Sequence, residues 1–330
     1  MKKFDIIGIG HPCVDYAIHI ESLPGPNQGR RVQEGSWQGG GVVPTGLVSA
    51  ARCGLKTALV GAMGDDLFGR FCYNDFADHG IDLSQAKIRE GQMTDIGVIL
   101  SEDEHHGRNI LYRPGGYDHL KLEEVDLKFL ENADYLYIAF MDDMNVALAK
   151  YAKEHGMKVL IDASGGHISR YEKVLPYIDY FIASEFVYDE TFSDKNYEEN
   201  LRSVQAMGPE CVVFTFGADG ARGIDSSGYA EVPGFKVDVK DTVGAGDTFH
   251  GAFFYGLKHN YSLYDTIRFA CAVSAIKCTC MGGRAGIPTA DVTLKFIETG
   301  EIDRTELDER VKKYSWGLSN VAGEAHFDNR

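Results

Sequence analysis

Short apolar segments alternating with helical segments constrain this chain's fold more than any other feature. F-D-I-I-G-I-G (4–10), T-A-L-V-G-A-M-G (57–64), Y-L-Y-I-A-F (135–140), K-V-L-I-D (158–162), Y-F-I-A-S (180–184) and C-V-V-F-T-F-G (211–217) each read as a strand. Residues 44–54, 67–80 and 142–155 read as helices ending at Gly54, Gly80 and Gly156, with a short helix over 169–176 and another after 184. Strands apolar on both faces need cover on both faces. Helices returning between successive strands supply it, and they make neighbouring strands parallel. The pattern predicts an α/β fold: a central, mostly parallel sheet flanked by helices.

Two stretches break the rhythm. Residues 12–36 carry V-D-Y-A-I-H-I and R-R-V-Q-E, and residues 93–115 carry T-D-I-G-V-I-L and R-N-I-L-Y-R. Both alternate as strands do and have no helix between their halves. Together they predict a small antiparallel β lid, because both insertions leave the C-terminal ends of early strands, where α/β sites lie. A pair of surface hairpins is the other reading. No internal repeat or Pro-rich linker divides the chain, so residues 1–330 read as one α/β domain.

The net charge of −16 disfavours nucleic acid and anionic membrane as general partners. It does not disfavour a phosphate ligand, which local N–H groups and a few Arg decide. No apolar run approaches the ~20 residues of a membrane span. Asp5 interrupts the apolar N-terminal stretch and no small-residue cleavage site follows, so it reads as a first strand and not a signal peptide. The cysteines at 13, 53, 72, 211, 271, 278 and 280 form no C-x-x-C pair. An odd, dispersed set fits reduced thiols and a cytoplasmic location. His105-His106 reads as part of a charged loop, with metal binding as the lesser alternative.

The chemistry concentrates in D-T-V-G-A-G-D-T-F-H-G, from Asp241 to Gly251. It stands where an irregular segment becomes a helix. Gly244, Ala245 and Gly246 leave backbone N–H groups uncovered there, and unpaired N–H groups and the helix dipole both favour an anion. Asp247 follows at once. A carboxylate touching an anion cradle makes sense when the anion is a phosphate in transfer and the carboxylate takes the proton of the attacking hydroxyl. Acid in a first helical turn and glycines before a helix also occur for structural reasons alone. Asp241, Thr242, Thr248 and the small Gly251 and Ala252, which would admit a close neighbour, weigh against that reading.

With these residues in hand, the chain resembles the ribokinase-like (PfkB-type) carbohydrate kinases from about residue 4 to 290. D-T-V-G-A-G-D-T-F-H-G-A-F (241–253) is the specific signature. G-G-V-V-P-T-G-L-V-S-A-A-R-C-G (40–54) is similar to the family's N-terminal signature, and V-G-A-M-G-D-D-L-F-G (60–69) to its next segment. F-T-F-G-A-D-G-A (214–221) resembles the nucleotide-side strand and turn, and G-G-R-A-G-I-P-T (282–289) the closing loop. The motifs stand in the family's order.

The resemblance implies a ribokinase-like fold and an ATP- and Mg2+-dependent kinase of a small sugar. Asp247 would be the base, and the N–H groups of Gly244, Ala245 and Gly246 the anion hole. Asp15 would bind sugar hydroxyls, with Gly40 and Gly41 letting backbone approach the sugar and Thr45 beside them. Ser184, Thr215, Gly217, Gly220 and Cys271 would lie on the nucleotide side. Asp241, with the backbone of Val243 and the 280–286 loop, matches a monovalent-cation (K+) site of some members. The lid sheet, in many members the dimer contact, makes a homodimer the expectation.

Several positions depart from the pattern. Thr45 stands where Asn is usual. The family's N-x-x-E motif is S-E-F-V (184–187), with Glu185 or Glu190 as stand-ins of no clear claim. Cys271 stands where Asn or His is frequent, and also reads as a small buried hydrophobe. Arg108, Arg113, Arg30, Arg31 and Arg284 lie in the two insertions and the closing loop. Two or three of them around the sugar would mean a phosphorylated substrate, and one alone a plain sugar. A nucleoside kinase, with Trp37 and Tyr16 stacking on a base, and a non-catalytic sugar or nucleotide sensor remain as alternatives. Asp15 also reads as a solvated strand-end acid. The tail beyond about residue 300 carries no legible chemistry.

Overall fold

The structure, a computed structural model, describes residues 2–102, 108–116, 118–315 and 317–318; His105-His106 and the extreme C-terminal tail lie outside the described residues. In chain order the strands are β1 (Phe4–Ile9), β2 (Cys13–Ile20), β3 (Glu34–Gly40), β4 (Thr57–Gly64), β5 (Asp82–Arg89), β6 (Asp95–Glu102), β7 (Arg108–Arg113), β8 (Ala133–Ile138), β9 (Lys158–Ala163), β10 (Tyr180–Ser184), β11 (Cys211–Thr215), β12 (Ala221–Asp225) and β13 (Gly228–Val232). The helices are α1 (Val42–Arg52), α2 (Leu67–Asp78), α3 (Leu127–Leu130), α4 (Asp143–Glu154), α5 (Glu185–Thr191), α6 (Tyr197–Gln205), α7 (Ala245–Lys258), α8 (Leu263–Cys278), α9 (Ala290–Thr299) and α10 (Thr305–Ser315).

The large sheet runs β13-β12-β11-β10-β9-β8-β1-β4-β5. It is parallel from β11 to β5, and the β11–β12 and β12–β13 pairings are antiparallel. Alternation along each strand sends side chains to two separate cores. Ile6 and Leu160 face α1, α2, α7 and α8, whereas Ile7, Val159 and Ile161 face α3, α4, α5 and α6. Two apolar faces per strand are why the sequence shows runs and not alternation.

The helices end where local chemistry stops them. Asp66 caps α2 by accepting from Gly69 N–H, and Asp142 caps α4 by accepting from Asn145 N–H. Gly54, Gly80 and Gly156 follow their helices with φ of 89°, 69° and 73°, the left-handed conformation glycine adopts without strain. Residues 169–176, expected as a short helix, form instead two 3-10 turns, Ile168–Tyr171 and Leu175–Tyr177. Pro176 within the stretch lacks an N–H for a continuous helical ladder.

The two rhythm-breaking stretches form a second sheet, β3-β2-β6-β7. Its two hairpin pairings are antiparallel and its central pair, β2 with β6, is parallel. That pair is parallel because both strands leave the same edge of the large sheet in the same direction. Ala17 and Ile99 of the small sheet form an apolar cluster with Val243 and Met281, so one face of it lies against the segment leading into α7. Among the described residues, no helix is long and apolar enough to cross a membrane.

Candidate active site

The segment from Asp241 to Gly251 turns into α7 at Gly244, the N-cap, whose φ of 70° is left-handed. A Cβ there would also lie 3.0 Å from Gly283 Cα of the closing loop, so glycine is needed twice over. No side chain caps this helix. Ala245 N–H turns back to the Thr242 carbonyl at 3.2 Å, and the first helical bond runs from Thr248 N–H to Gly244 O at 2.9 Å. The N–H groups of Gly246 and Asp247 therefore precede the helical ladder at the positive end of the dipole. Gly246 is exposed, and a Cβ built on it would meet open space. Asp247 is half-buried in the same turn.

Close packing seats this turn. Ser49 Oγ of α1 donates to the Thr248 carbonyl at 2.8 Å, and a Cβ at Gly251 would collide with the Gly46 carbonyl. The small residues after Asp247 thus admit α1. On the other flank, Ser274 Oγ of α8 donates to the Ala245 carbonyl at 2.9 Å.

Asp241 is buried. Its Oδ1 accepts from Val243 N–H at 2.9 Å and its Oδ2 from Gly282 N–H at 2.8 Å, which ties the turn to the closing loop. Its carbonyl accepts from the fully buried ammonium of Lys277 at 2.9 Å. The carboxylate is thus held by two backbone donors, one on each side of the turn. The nearby ammonium supplies positive charge.

Asp15 is half-buried on β2. Cβ atoms at Gly40 and Gly97 would each collide with its carboxylate, so two glycines on neighbouring strands make its room. Cys13 Sγ donates to Asp15 Oδ1 at 3.5 Å. Burial pushes the Asp15 carboxyl up, opposed by the thiol and by Arg284, and Asp241 adds to the rise. Gly41, at φ 93°, starts α1, and a Cβ there would press on the His11 carbonyl. The glycines expected to admit sugar thus first admit Asp15 and the β1 terminus.

Arg284 of the closing loop is an internal cation. It is fully buried, with Nη1 on Asp75 Oδ2 at 2.6 Å, Nη2 on the Gly40 carbonyl at 2.8 Å and Nε on Thr45 Oγ1 at 3.3 Å. Thr45 is itself buried, and its hydroxyl faces this guanidinium. Gln38 Oε1 accepts from the N–H groups of Arg284 and Ala285, and its amide donates to the Met281 carbonyl. Arg30, Arg31 and Arg113 are exposed, Arg30 on Ser22 Oγ and Arg113 on Met93 Sδ. Arg108 lies on β7, and its side chain is outside the described residues. The tail that carried no legible chemistry supports this loop: Arg310 of α10 donates to the carbonyls of Arg284 and Ala285, and Tyr314 OH donates to Asp75.

On the expected nucleotide side, Ser184 and Thr215 end the adjacent strands β10 and β11. Ser184 Oγ is buried without a hydrogen-bond partner among the described residues. Thr215 Oγ1 donates to the Ala183 carbonyl at 3.4 Å. Gly217 (φ 52°) and Gly220 (φ 89°) shape the turn that follows, and a Cβ at Gly220 would strike the Val232 carbonyl. Glu185 Oε1 lies 3.9 Å from where a Gly217 Cβ would be. Cys271 is a core residue of α8, its thiol pushed up to about 12 by burial. Among the described residues no cluster of three His, Cys, Asp or Glu could hold a metal ion.

Tyr16 and Trp37 pair across β2 and β3 and stack on one another at 4.3 Å. Consecutive strand residues point to opposite faces, so Tyr16 projects away from the side that carries Asp15. The residues that sequence reasoning passed over are His250, Asp162 and Tyr137, a buried polar set beneath the turn. His250 stands inside the signature itself, and its spacing four residues after Gly246 was the available signal.

Known proteins are similar to this chain over most of its length. Residues 4–290 match the model of the pfkB family carbohydrate kinases. A ribokinase of Lactococcus lactis subsp. lactis is 28% identical over 254 residues, covering 74% of this chain and 80% of that protein. A 5-dehydro-2-deoxygluconokinase of Shouchella clausii is 28% identical over 320 residues, covering 90% and 96%. Among solved structures, Arabidopsis thaliana ribokinase complexed with ribose and ATP superposes with a TM-score of 0.77 at 21% identity, covering 89% of this chain and 99% of that one.

Proposed function

The chain belongs to the pfkB family of carbohydrate kinases, and on that footing we propose that it transfers the γ-phosphoryl of ATP to a hydroxyl of a small, uncharged sugar. The observation that carries this reading is the uncapped start of α7 with Asp247 in its first turn. In it, Asp247 accepts the proton of the attacking hydroxyl. The N–H groups of Gly246 and Asp247 face the charge that develops on the transferred phosphoryl, while the Ala245 N–H, expected among these donors, is held by the Thr242 carbonyl. Transfer of this kind needs little covalent help from a protein, so position and electrostatics supply the rate.

Asp15 orients the sugar by accepting from its hydroxyls, and the backbone near Gly40 and Gly41 shapes the pocket beside it. An uncharged acceptor is favoured because Arg284, the basic residue that acts electrostatically on Asp15, is consumed by Asp75, Gly40 and Thr45. The stacking of Tyr16 on Trp37, away from Asp15, weighs against their serving as a platform for a nucleoside base.

ATP would lie along Ser184, Thr215, Gly217 and Gly220, where the orphaned Ser184 hydroxyl awaits a polar partner. Mg2+ would be held chiefly by the phosphates, with Glu185 as the nearby carboxylate, and would neutralise phosphate charge. A monovalent cation such as K+ would be held by Asp241 and the carbonyls of Val243 and the 280–286 loop. The small sheet acts as a lid over the sugar and as a homodimer surface: Ile110, Leu111 and Tyr112 on β7 are each more than half exposed. The enzyme works in the cytoplasm as one domain over 1–330 with this lid.

The test is ATP turnover against free hexoses, pentoses, ketose phosphates and nucleosides, with Asp247→Asn beside the wild type. Turnover of a free sugar, lost in the variant, supports the reading. Preference for a phosphosugar or nucleoside would replace the acceptor. Binding of sugar or ATP without turnover on any acceptor would favour a sensor.

A further inference from the structure

Beneath the start of α7 lie three polar side chains that the mechanism above leaves idle. His250 stands on α7, Asp162 at the end of β9 and Tyr137 on β8, and each is at least nine-tenths buried. His250 Nδ1 is 2.7 Å from the Gly246 carbonyl oxygen and 3.1 Å from Asp162 Oδ2. Its Nε2 is 3.3 Å from the Ile182 carbonyl oxygen on β10. Tyr137 OH donates to Asp162 Oδ2 at 3.3 Å, and its ring lies within 16° of parallel to the imidazole. One imidazole therefore ties the first turn of α7 to β9 and β10, with Tyr137 of β8 reaching it through Asp162.

The proton inventory constrains this ring. The Gly246 and Ile182 oxygens can only accept, so Nδ1 carries hydrogen, and Nε2 is satisfied when it does too. With both nitrogens protonated and Asp162 ionised, every group has a partner and the buried pair is neutral. With the proton on Asp162, Nε2 faces a carbonyl as acceptor against acceptor. Burial favours that second arrangement by raising Asp162 and lowering His250. The two states differ in how firmly the ring is held. Asp247 and the tyrosines Tyr137 and Tyr171 are the ionisable groups that act on the pair from α7, β8 and the turn after β9.

The Gly246 carbonyl belongs to the same rigid peptide as the Asp247 N–H, and the two point in opposite directions. A bond that fixes the carbonyl fixes the N–H. We propose that His250, held by Asp162, is a positioning residue for phosphoryl transfer: it clamps the Gly246–Asp247 peptide so that the N–H beside the base stays aimed at the transferring group. This rests on the turn and base assigned above. Donors that need no reorientation as charge develops are the ones that lower the barrier.

The experiment compares His250→Leu, His250→Asn and Asp162→Asn on the acceptor the wild type turns over, with a thermal melt of each. His250→Leu should lower kcat by about 30-fold or more with the KM for ATP little changed, since a misaligned oxyanion donor costs up to about 100-fold. His250→Asn, whose amide can reach the Gly246 carbonyl, should recover most of that loss. Asp162→Asn should displace the acid limb of the kcat–pH profile by about half a unit or more, because the ring loses the carboxyl with which it shares a proton. A folded His250→Leu within threefold of the wild-type kcat overturns the proposal. So does a folded His250→Asn no better than Leu. If His250→Leu does not fold, an unmoved acid limb in Asp162→Asn overturns it. Asp247→Asn in parallel separates the readings: normal turnover there defeats the base, while the His250 series still reports on the turn.

Discussion

Replacing Asp75 by alanine should destabilise this protein far more than removing a surface acid, because it strands a cation in the core. Arg284 is fully buried, and Asp75 is its counter-charge at 2.6 Å. Asp75 also accepts from Tyr314 OH and lies 3.9 Å from the His79 ring. Removing one partner of such a pair costs about 3–5 kcal/mol. An unfolding entropy of ~2.1 cal/mol/K per residue gives ~0.7 kcal/mol/K for 330 residues, so Tm should fall by about 4–7 °C. The paired change Asp75→Leu with Arg284→Met removes both charges and should recover more than half of the loss. The acid dependence has a definite sign. Burial alone would raise the Asp75 carboxyl, but Arg284, His79 and Tyr314 hold it below the usual carboxylate value. A depressed pKa gives stability that is complete above the unfolded value near 4 and lost as pH falls through the folded one. Calorimetry or circular dichroism melts from pH 7 downward would read this. A Tm for Asp75→Ala within about 1 °C of wild type, or a double variant no better than the single, would refute the reasoning.

Asp247→Asn should reduce kcat by about 10²–10⁴-fold while ATP affinity, measured by calorimetry, stays close to wild type; near-normal turnover would remove the base assignment. Asp15→Ala should raise the sugar KM by about 10–100-fold, the value of hydrogen bonds to a charged group, and leave the ATP KM within a few-fold. Equal losses for both substrates would point to another role. Gly246→Val should fold normally, since its Cβ meets no protein atom within 4 Å, yet lose ATP affinity and rate because the branched side chain occupies the cradle. Unchanged ATP kinetics in that variant would sink the cradle.

Much of the architecture was legible in the sequence because strand and helix formation is written locally. The strands β1, β4, β8, β9, β10 and β11 stand where apolar runs placed them, and Gly54, Gly80 and Gly156 end the helices as read. The small sheet was visible as two interruptions in the rhythm. Its parallel central pair was not, since strand direction depends on where both segments leave the large sheet. The turn at Gly244 was legible from three small residues before an acid. Residues 169–176 misled because a short apolar window suits a helix until Pro176 is weighed.

What the sequence could not supply was partnership across long separations. Arg284 read equally well as a phosphate-binding or a surface arginine. Only its meeting with Asp75, 209 positions earlier, makes it a buried structural cation whose charge is spent inside the protein. Gln38 binds the loop at Met281 across 243 positions, and α10 in the silent tail closes over the same loop. His250 sat inside the signature, but its role needed Asp162 and Ile182 from other strands. The sequence by itself determined the α/β order, the glycine turn into α7 and the acid beside it, because each is set by residues within one or two turns of chain. The tertiary structure alone decided which charges are spent inside the protein and which face the cleft, because a side chain's electrostatic value depends on neighbours that only folding brings near.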